Sequence, residues 1–272
     1  MTQATLDAHL NTFTATNDPV KAQIAETVRA FAAAAILVRK SINEGALGAA
    51  FAGTRGNANS GGDTQKELDV HADNLFLDAA RKAGIGYYAS EELANPVAIN
   101  ADSKIAVAID PLDGSSNIDT NVSIGTIFSI VPRREDAATT FSQPGSEQLA
   151  AGFFIYGPQM ALVLTKRNGT RIFVFSSRLG TFVEAYSSVT VAPMATEFAI
   201  NMSNQRFWAE PMQRYIAELL AGKDGPRGKN FNMRWVAAMV ADVHRTLLKG
   251  GVFIYPATAK NPDGKLRLLY EA

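Results

Sequence analysis

The chain has 272 residues, of which 47% are apolar and 19% are charged, and this is the composition of a globular protein with a large core. Its 26 basic residues match its 26 acidic residues, and a net charge of about zero argues against a nucleic-acid partner held by bulk positive potential. Because the sequence contains no cysteine, disulfides, thiolate zinc sites and thiol switches are excluded.

The first predicted element is a helix from Asn17 to about Asn43. Asp18 is a suitable N-cap, Pro19 fits the first turn, and Gly45 follows the last turn. The apolar stretch at 31–38 within this helix is too short to cross a bilayer, and residues 1–17 lack the basic start and apolar run of a signal peptide. We therefore expect a cytoplasmic protein without a membrane partner.

Strands dominate the middle of the chain, after a polar, glycine-rich loop expected at 53–62 and a second helix at 64–82. Apolar and alternating runs predict strands at 85–89, 104–110, 125–131, 151–156, 160–165, 171–175 and 181–185, with a polar loop at 133–147. The pattern then changes to a strand at 198–202, helices at 211–220 and 236–249, and strands at 251–255 and 266–270. These elements predict an α/β protein of packed layers, with one domain at 1–192 and a second at 193–272.

The segment at 110–119, DPLDGSSNID, carries the strongest chemical signal. Asp110 and Asp113 end a buried strand, and a glycine and two serines follow at a predicted helix start. Hard cations require oxygen ligands, and a phosphate binds free backbone N–H groups at a helix N-terminus. The pair Glu91 and Glu92 also follows a strand, and such neighbours repel each other unless they are solvated or share a cation. The sequence therefore predicts a Mg²⁺-dependent site for a phosphate ester.

With Glu91 and Glu92 upstream, this segment resembles the metal-dependent sugar phosphatases that include inositol monophosphatases. The segments NVSIGTIF at 121–128, MVADVHR at 239–245 and GKLRLLYE at 264–271 narrow the resemblance to class I fructose-1,6-bisphosphatases, from about residue 18 to the end. The fold that this implies has alternating α-β-α-β-α layers with mixed or largely antiparallel sheets. The implied activity is hydrolysis of the 1-phosphate of D-fructose 1,6-bisphosphate to fructose 6-phosphate, in gluconeogenesis or Calvin-type sugar synthesis.

The resemblance also implies roles for individual residues. The ligands of Mg²⁺, or of Mn²⁺ in its place, would be Glu91, Asp110, Asp113, Glu271 and the carbonyl of Leu112. The groups that activate the attacking water would be Asp69 and Glu92, with Asp63 joining the metal cluster from its loop. The phosphoryl group would lie at Asp113, Gly114, Ser115 and Ser116. The sugar and its other phosphate would contact Asn201, Arg234, Tyr255, Lys265 and Arg267, with Arg234 reaching across from a neighbouring subunit of a homodimer or homotetramer.

Two alternatives stay open. One is a dual enzyme that also accepts sedoheptulose 1,7-bisphosphate. The other is a truncated, non-catalytic sugar-phosphate binder, because chains of this family continue past the position of Glu271 and the second domain is expected to be incomplete. Retention of Asp69 and Glu92 argues against a mere binder.

Two departures from the family's pattern concern regulation and binding. The segment at 16–20 lacks the glycine and the second threonine of the family's AMP-binding segment, and Ile105 replaces the tyrosine that follows Lys104. We therefore expect weak or absent inhibition by AMP. Trp235 stands where the family has a phosphate-binding tyrosine, and an indole can donate a hydrogen bond but cannot accept one.

Overall fold

A computed structural model describes residues 4–44, 54–58, 64–259, 261–267 and 269–271. Its first elements are the helices α1 (Leu6–Thr14), α2 (Pro19–Asn43) and α3 (Glu67–Ala83). The predicted start of α2 is confirmed, since the Asp18 carboxylate accepts hydrogen bonds from the backbone N–H groups of Val20 and Lys21 at 2.9 and 3.4 Å. Helix α1 was not predicted. Among the described residues, no helix combines the length and apolar character that a membrane crossing requires.

The main sheet has eight strands in the order β10-β9-β8-β7-β6-β5-β3-β4. Their bounds are β3 (Tyr87–Ser90), β4 (Val97–Ala98), β5 (Ile105–Asp113), β6 (Ile124–Pro132), β7 (Ala150–Tyr156), β8 (Met160–Thr165), β9 (Thr170–Ser176) and β10 (Thr181–Val189). Every neighbouring pair is antiparallel except β3 and β5, which run parallel. The mixed, largely antiparallel sheet that the resemblance implied is confirmed.

Helices cover both faces of this sheet, which explains why β5 is buried at all nine of its positions. Ile105, Val107 and Ile109 face the core formed with α2 and α3, where the rings of Phe31 and Phe76 meet edge-on at 5.3 Å. The alternate residues of β5 point to the other face. That face is covered by α6 (Met239–Lys249), which contacts β6 and β7.

A small parallel sheet lies beyond α6, in the order β12-β11-β13. Its strands are β11 (Glu197–Ala199), β12 (Asn232–Met233) and β13 (Val252–Phe253), and α6 contacts β11 and β13. Phe198 and Ile200 form a separate core with residues of α5 (Glu210–Leu220). The layers therefore alternate as α-β-α-β-α, and α6 is the layer that both sheets share.

Three local expectations from the sequence are wrong. The expected loop at 53–62 contains a strand, β1 (Thr54–Ala58), which pairs with β2 (Thr64–Lys66), so the following helix begins only at Glu67. The loop at 133–147 contains α4 (Ala137–Phe141), whose first turn is capped by Asp136. The described positions of 266–270 form turns rather than a strand, since Glu271 N–H donates to the Arg267 carbonyl at 2.9 Å. A hairpin pairing and a capped helical turn thus form where polar composition predicted loops, and a local hydrogen bond forms where an apolar pattern predicted a strand.

Candidate active site

The carboxylates of the DPLD segment lie at a bulge where β5 ends. Asp110 pairs with Ile127 and Asp113 with Gly125, so β5 carries one residue more than β6 across this interval. The irregular backbone is held internally, because Leu112 N–H donates to the Asp110 carboxylate at 2.9 Å and the Thr126 hydroxyl donates to the Pro111 carbonyl at 2.8 Å. A bulge re-aims side chains, and here it brings Asp110 and Asp113 to the same cavity.

The next residues form a tight 3₁₀ turn, Ser115–Asn117, entered through Gly114 with a φ of 78°. A methyl group at Gly114 would lie 2.5 Å from the β-carbon of Ala238, so glycine is needed for space as well as for its backbone angle. The start of α6 packs on this turn. Val240 N–H donates to Asp113 Oδ2 at 2.8 Å, and Asn117 Nδ2 donates to the Val236 carbonyl at 3.1 Å.

Three buried carboxylates meet at one wall of the cavity. Asp110, Asp113 and Glu271 each offer an oxygen, and these atoms all lie within 4.8 Å of one another. Burial raises the pKa of Asp113 to about 7 against the hydrogen bond from Val240, and the charge of Glu271 adds to the rise. Burial, followed by the charges of Glu91 and Asp113, likewise raises the pKa of Asp110. The ionised form of these buried carboxylates is costly without a partner, and a hard divalent cation stabilises that form. This donor set therefore fits Mg²⁺.

Glu91 lies beside the cluster and interacts with Asp110 directly and with Glu271 through Arg267. The Arg267 guanidinium contacts a Glu91 oxygen and lies 3.3 Å from Glu271 Oε1, while the Arg267 backbone N–H donates to Glu271 Oε2 at 2.6 Å. Burial opposes the charge on Arg267, but Glu91 and Glu271 hold its pKa above the usual value. The arginine thus holds together two carboxylates that lie far apart in the sequence.

A cavity of about 410 Å³ opens in front of these carboxylates. Its lining also includes Lys265, Tyr255 and Trp235, and the indole of Trp235 stacks on Phe253 at 6.0 Å between ring centroids. The cavity thus combines carboxylates suited to a cation with an ammonium group and aromatic rings. Its size is that of a small-molecule site.

Comparisons with known proteins agree with this geometry. The family model described as "Fructose-1-6-bisphosphatase, N-terminal domain" matches residues 1–187, and the model of the C-terminal domain of the same family matches residues 191–272. The chain belongs to the fructose-1,6-bisphosphatase family. Members of this family depend on a metal and act on a sugar bisphosphate. This chain is assigned as a phosphoric monoester hydrolase.

Individual fructose-1,6-bisphosphatases are similar over the whole chain. The class 1 enzyme of Rhizobium meliloti is 53% identical, and the match covers 100% of this chain and 80% of the relative. The class 1 enzyme of Azorhizobium caulinodans is 47% identical, with 100% and 85% covered. The crystal structure of Leishmania major fructose-1,6-bisphosphatase in holo form is 28% identical with a TM-score of 0.90, and the match covers 100% of this chain and 84% of that one.

Most residues that the resemblance to the bisphosphatases implied line the cavity. They are Glu91, Glu92, Asp110, Leu112, Asp113, Gly114, Ser115, Ser116, Asn201, Tyr255, Lys265, Arg267 and Glu271. Asp69 does not line it and lies buried in the first turn of α3. Arg234 is exposed and donates to the Met233 carbonyl at 2.9 Å. Asp63 lies outside the described residues.

Sequence reasoning missed Asp242, which also lines the cavity and is only 2% exposed. Its carboxylate accepts hydrogen bonds from the backbone N–H groups of Val236 and Ala237, and Ala237 has a positive φ of 67°. The signal was present in the MVAD segment, since an aspartate in the first turn of a helix can bind free amides. Its binding to the turn before that helix could not be read from spacing, because alanine rarely adopts this backbone angle.

Proposed function

We propose that this chain hydrolyses the 1-phosphate of D-fructose 1,6-bisphosphate to give fructose 6-phosphate and phosphate, with Mg²⁺ as the cofactor and Mn²⁺ as a substitute. The observation that carries the proposal is the convergence of three buried carboxylates on a cavity that Lys265 also lines. We place the reaction in the cytoplasm, in gluconeogenesis or Calvin-type sugar synthesis, by analogy with the family.

In this proposal Asp110, Asp113 and Glu271 hold the metal, together with Glu91 and the carbonyl of Leu112. When bound, the metal supplies charge neutralisation for the phosphoryl oxygens and a water molecule of lowered pKa. The chain's own task is to hold the phosphoryl group in line with that water, because phosphoryl transfer depends on positioning and electrostatics more than on covalent catalysis.

The loop after Asp113 receives the phosphoryl group. Gly114 permits close approach of the backbone, and the hydroxyls of Ser115 and Ser116 face the cavity as hydrogen-bond donors. Glu92 lines the same cavity and acts with Asp69, and with Asp63 from its loop, in taking a proton from the attacking water. Water attacks the phosphorus directly and the sugar oxygen leaves, without a phosphoenzyme.

Three further residues of the lining bind the sugar and its second phosphate. Lys265 supplies a positive charge for that phosphate, and Asn201 and Tyr255 supply polar contacts at the sugar. Arg267 also lines the cavity and contacts Glu91 and Glu271. Arg234 is exposed and does not line this cavity. We propose that it contacts the second phosphate of the substrate in a neighbouring subunit of a homodimer or homotetramer.

The test is release of phosphate from fructose 1,6-bisphosphate during a Mg²⁺ titration, with sedoheptulose 1,7-bisphosphate as a comparison substrate. Asp113→Asn removes a charged ligand and should lower activity by at least about 100-fold. Changes at residues that only hydrogen-bond to metal ligands lower activity or metal affinity by up to about 100-fold, and the loss of a ligand should cost no less. Asp119→Asn is the matched control, because Asp119 lies in the same motif but is exposed and does not line the cavity.

Undiminished activity in Asp113→Asn, with the control unchanged, would refute the assignment of the metal site. Binding of the sugar bisphosphate without phosphate release in the wild type would favour the non-catalytic binder. Trapping of phosphate on a side chain during turnover would refute direct attack by water.

A further inference from the structure

The turn at 236–238 is held from two sides. Its Val236 N–H donates to both oxygens of the Asp242 carboxylate, at 3.0 and 3.2 Å, and its Val236 carbonyl accepts from Asn117 Nδ2 at 3.1 Å. Ala237 N–H also donates to Asp242 at 3.3 Å. One peptide unit is therefore fixed between a residue of α6 and a residue of the DGSSN turn.

This turn needs such support because Ala237 adopts a left-handed backbone angle, with a φ of 67°. For a residue other than glycine that angle costs roughly 1–2 kcal/mol. Asp242 is 2% exposed and does not belong to the group of Asp110, Asp113 and Glu271 whose oxygens lie within 4.8 Å of one another. The cost of burying its carboxylate is offset by the hydrogen bonds from the amides of the turn.

The position of this turn determines how α6 meets the acidic wall. Ala238, the last residue of the turn, packs against Gly114. Two residues later, Val240 N–H donates to Asp113 Oδ2 at 2.8 Å. A displacement of the turn would therefore move both contacts at once. The charge of Asp242 also acts on the Asp113 carboxyl directly, so Asp242 affects that group both through space and through the backbone of 236–240. Asn117 carries no charge, so a change at Asn117 reports on the backbone route alone.

We propose that Asp242 is a positioning residue for the divalent-metal site, with Asn117 as the second support of the same turn. The two residues fix Asp113 in the orientation that the metal requires. This inference rests on the metal site of the proposed function.

The experiment measures Mn²⁺ affinity directly by electron paramagnetic resonance, without substrate. Asp242→Asn keeps the size of the side chain but leaves a single neutral acceptor for two amides, and it should weaken Mn²⁺ binding about 10-fold, as is usual for groups that orient metal ligands. Asn117→Ala removes the other support and should shift the affinity in the same direction. Asp18→Asn is the matched control, because Asp18 also accepts from two backbone amides at a helix start but does not line the cavity.

Thermal unfolding in a metal chelator shows that each variant is folded at the temperature of the binding measurement. A loss of affinity in folded Asp242→Asn and Asn117→Ala, with Asp18→Asn unchanged, supports the inference. Wild-type affinity in either folded support variant overturns it, and if one variant does not fold, the other decides. Failure of the wild type to bind Mn²⁺ would instead overturn the proposed function and this inference with it.

Discussion

Replacing Gly114 by alanine tests whether the loop and α6 must approach as closely as the structure shows. The φ of 78° at Gly114 would cost alanine roughly 1–2 kcal/mol. The new methyl would lie 2.5 Å from the β-carbon of Ala238 and 3.1 Å from its α-carbon, both well inside the usual contact of carbon atoms. Such overpacking typically costs about 1–3 kcal/mol. The free energy of unfolding should therefore fall by about 2–5 kcal/mol.

The steric and backbone contributions separate in a double-mutant cycle. Ala238→Gly removes the opposing methyl, so adding it to Gly114→Ala should recover about 1–3 kcal/mol, the steric part alone. The measurement is urea unfolding of the four proteins, with phosphate release alongside. Gly145→Ala serves as the control, because its methyl would have no atom within 4 Å. Simple additivity of the two changes, or a Gly114→Ala protein as stable as the wild type, would refute the reasoning.

Three further outcomes are expected. The Thr126 hydroxyl lies 2.8 Å from both the Pro111 carbonyl and the Tyr156 hydroxyl, and Thr126→Val removes this partner from both. The change should lower the free energy of unfolding by about 1–3 kcal/mol in urea, and adding Tyr156→Phe should cost little more. Equal, additive losses would contradict a hydrogen-bond link between Thr126 and Tyr156. Burial, helped by nearby positive charge, lowers the pKa of His9 from 6.5 to about 4 in the folded chain. Between those two pH values the unfolded chain binds more protons than the folded chain, so the free energy of unfolding should fall as the pH drops from 6.5 to about 4. In thermal melts His9→Gln should make the stability depend less on pH across this range. An unchanged pH dependence would contradict the role of His9. Mg²⁺ at about 100 times its dissociation constant should raise the free energy of unfolding by about 2.7 kcal/mol, and the same gain in Asp113→Asn would speak against binding at this cluster.

Long apolar elements could be predicted from the sequence because their burial is strong and local. The start of α2 was fixed by Asp18 and Pro19, and β5 by an unbroken apolar run. The segment at 266–270 is also rich in apolar residues, yet its described positions form turns, because Arg267 and Glu271 hydrogen-bond to each other across one turn. The alternation of apolar residues does not report such local polar contacts, and the strand prediction failed for that reason.

The proposed metal ligands and the residue proposed to orient them differ in what the sequence reveals. Asp110 and Asp113 are visible because they stand three positions apart at the end of an apolar run. The role of Asp242 depends on a left-handed angle at Ala237, which backbone preferences assign to glycine. The prediction of Glu271 as a ligand came from the resemblance rather than from its spacing. The proposed positioning residue is thus harder to find in the sequence than the proposed ligands.

The balance of charge at the acidic wall explains why a cation belongs there. Arg267 contacts Glu91 and Glu271, but its single positive charge faces four buried carboxylates, including Asp110 and Asp113. Burial and mutual repulsion therefore leave the pKa of Asp113 at about 7, where a proton only partly neutralises it. A divalent ion held by Asp110, Asp113 and Glu271 would supply the missing charge.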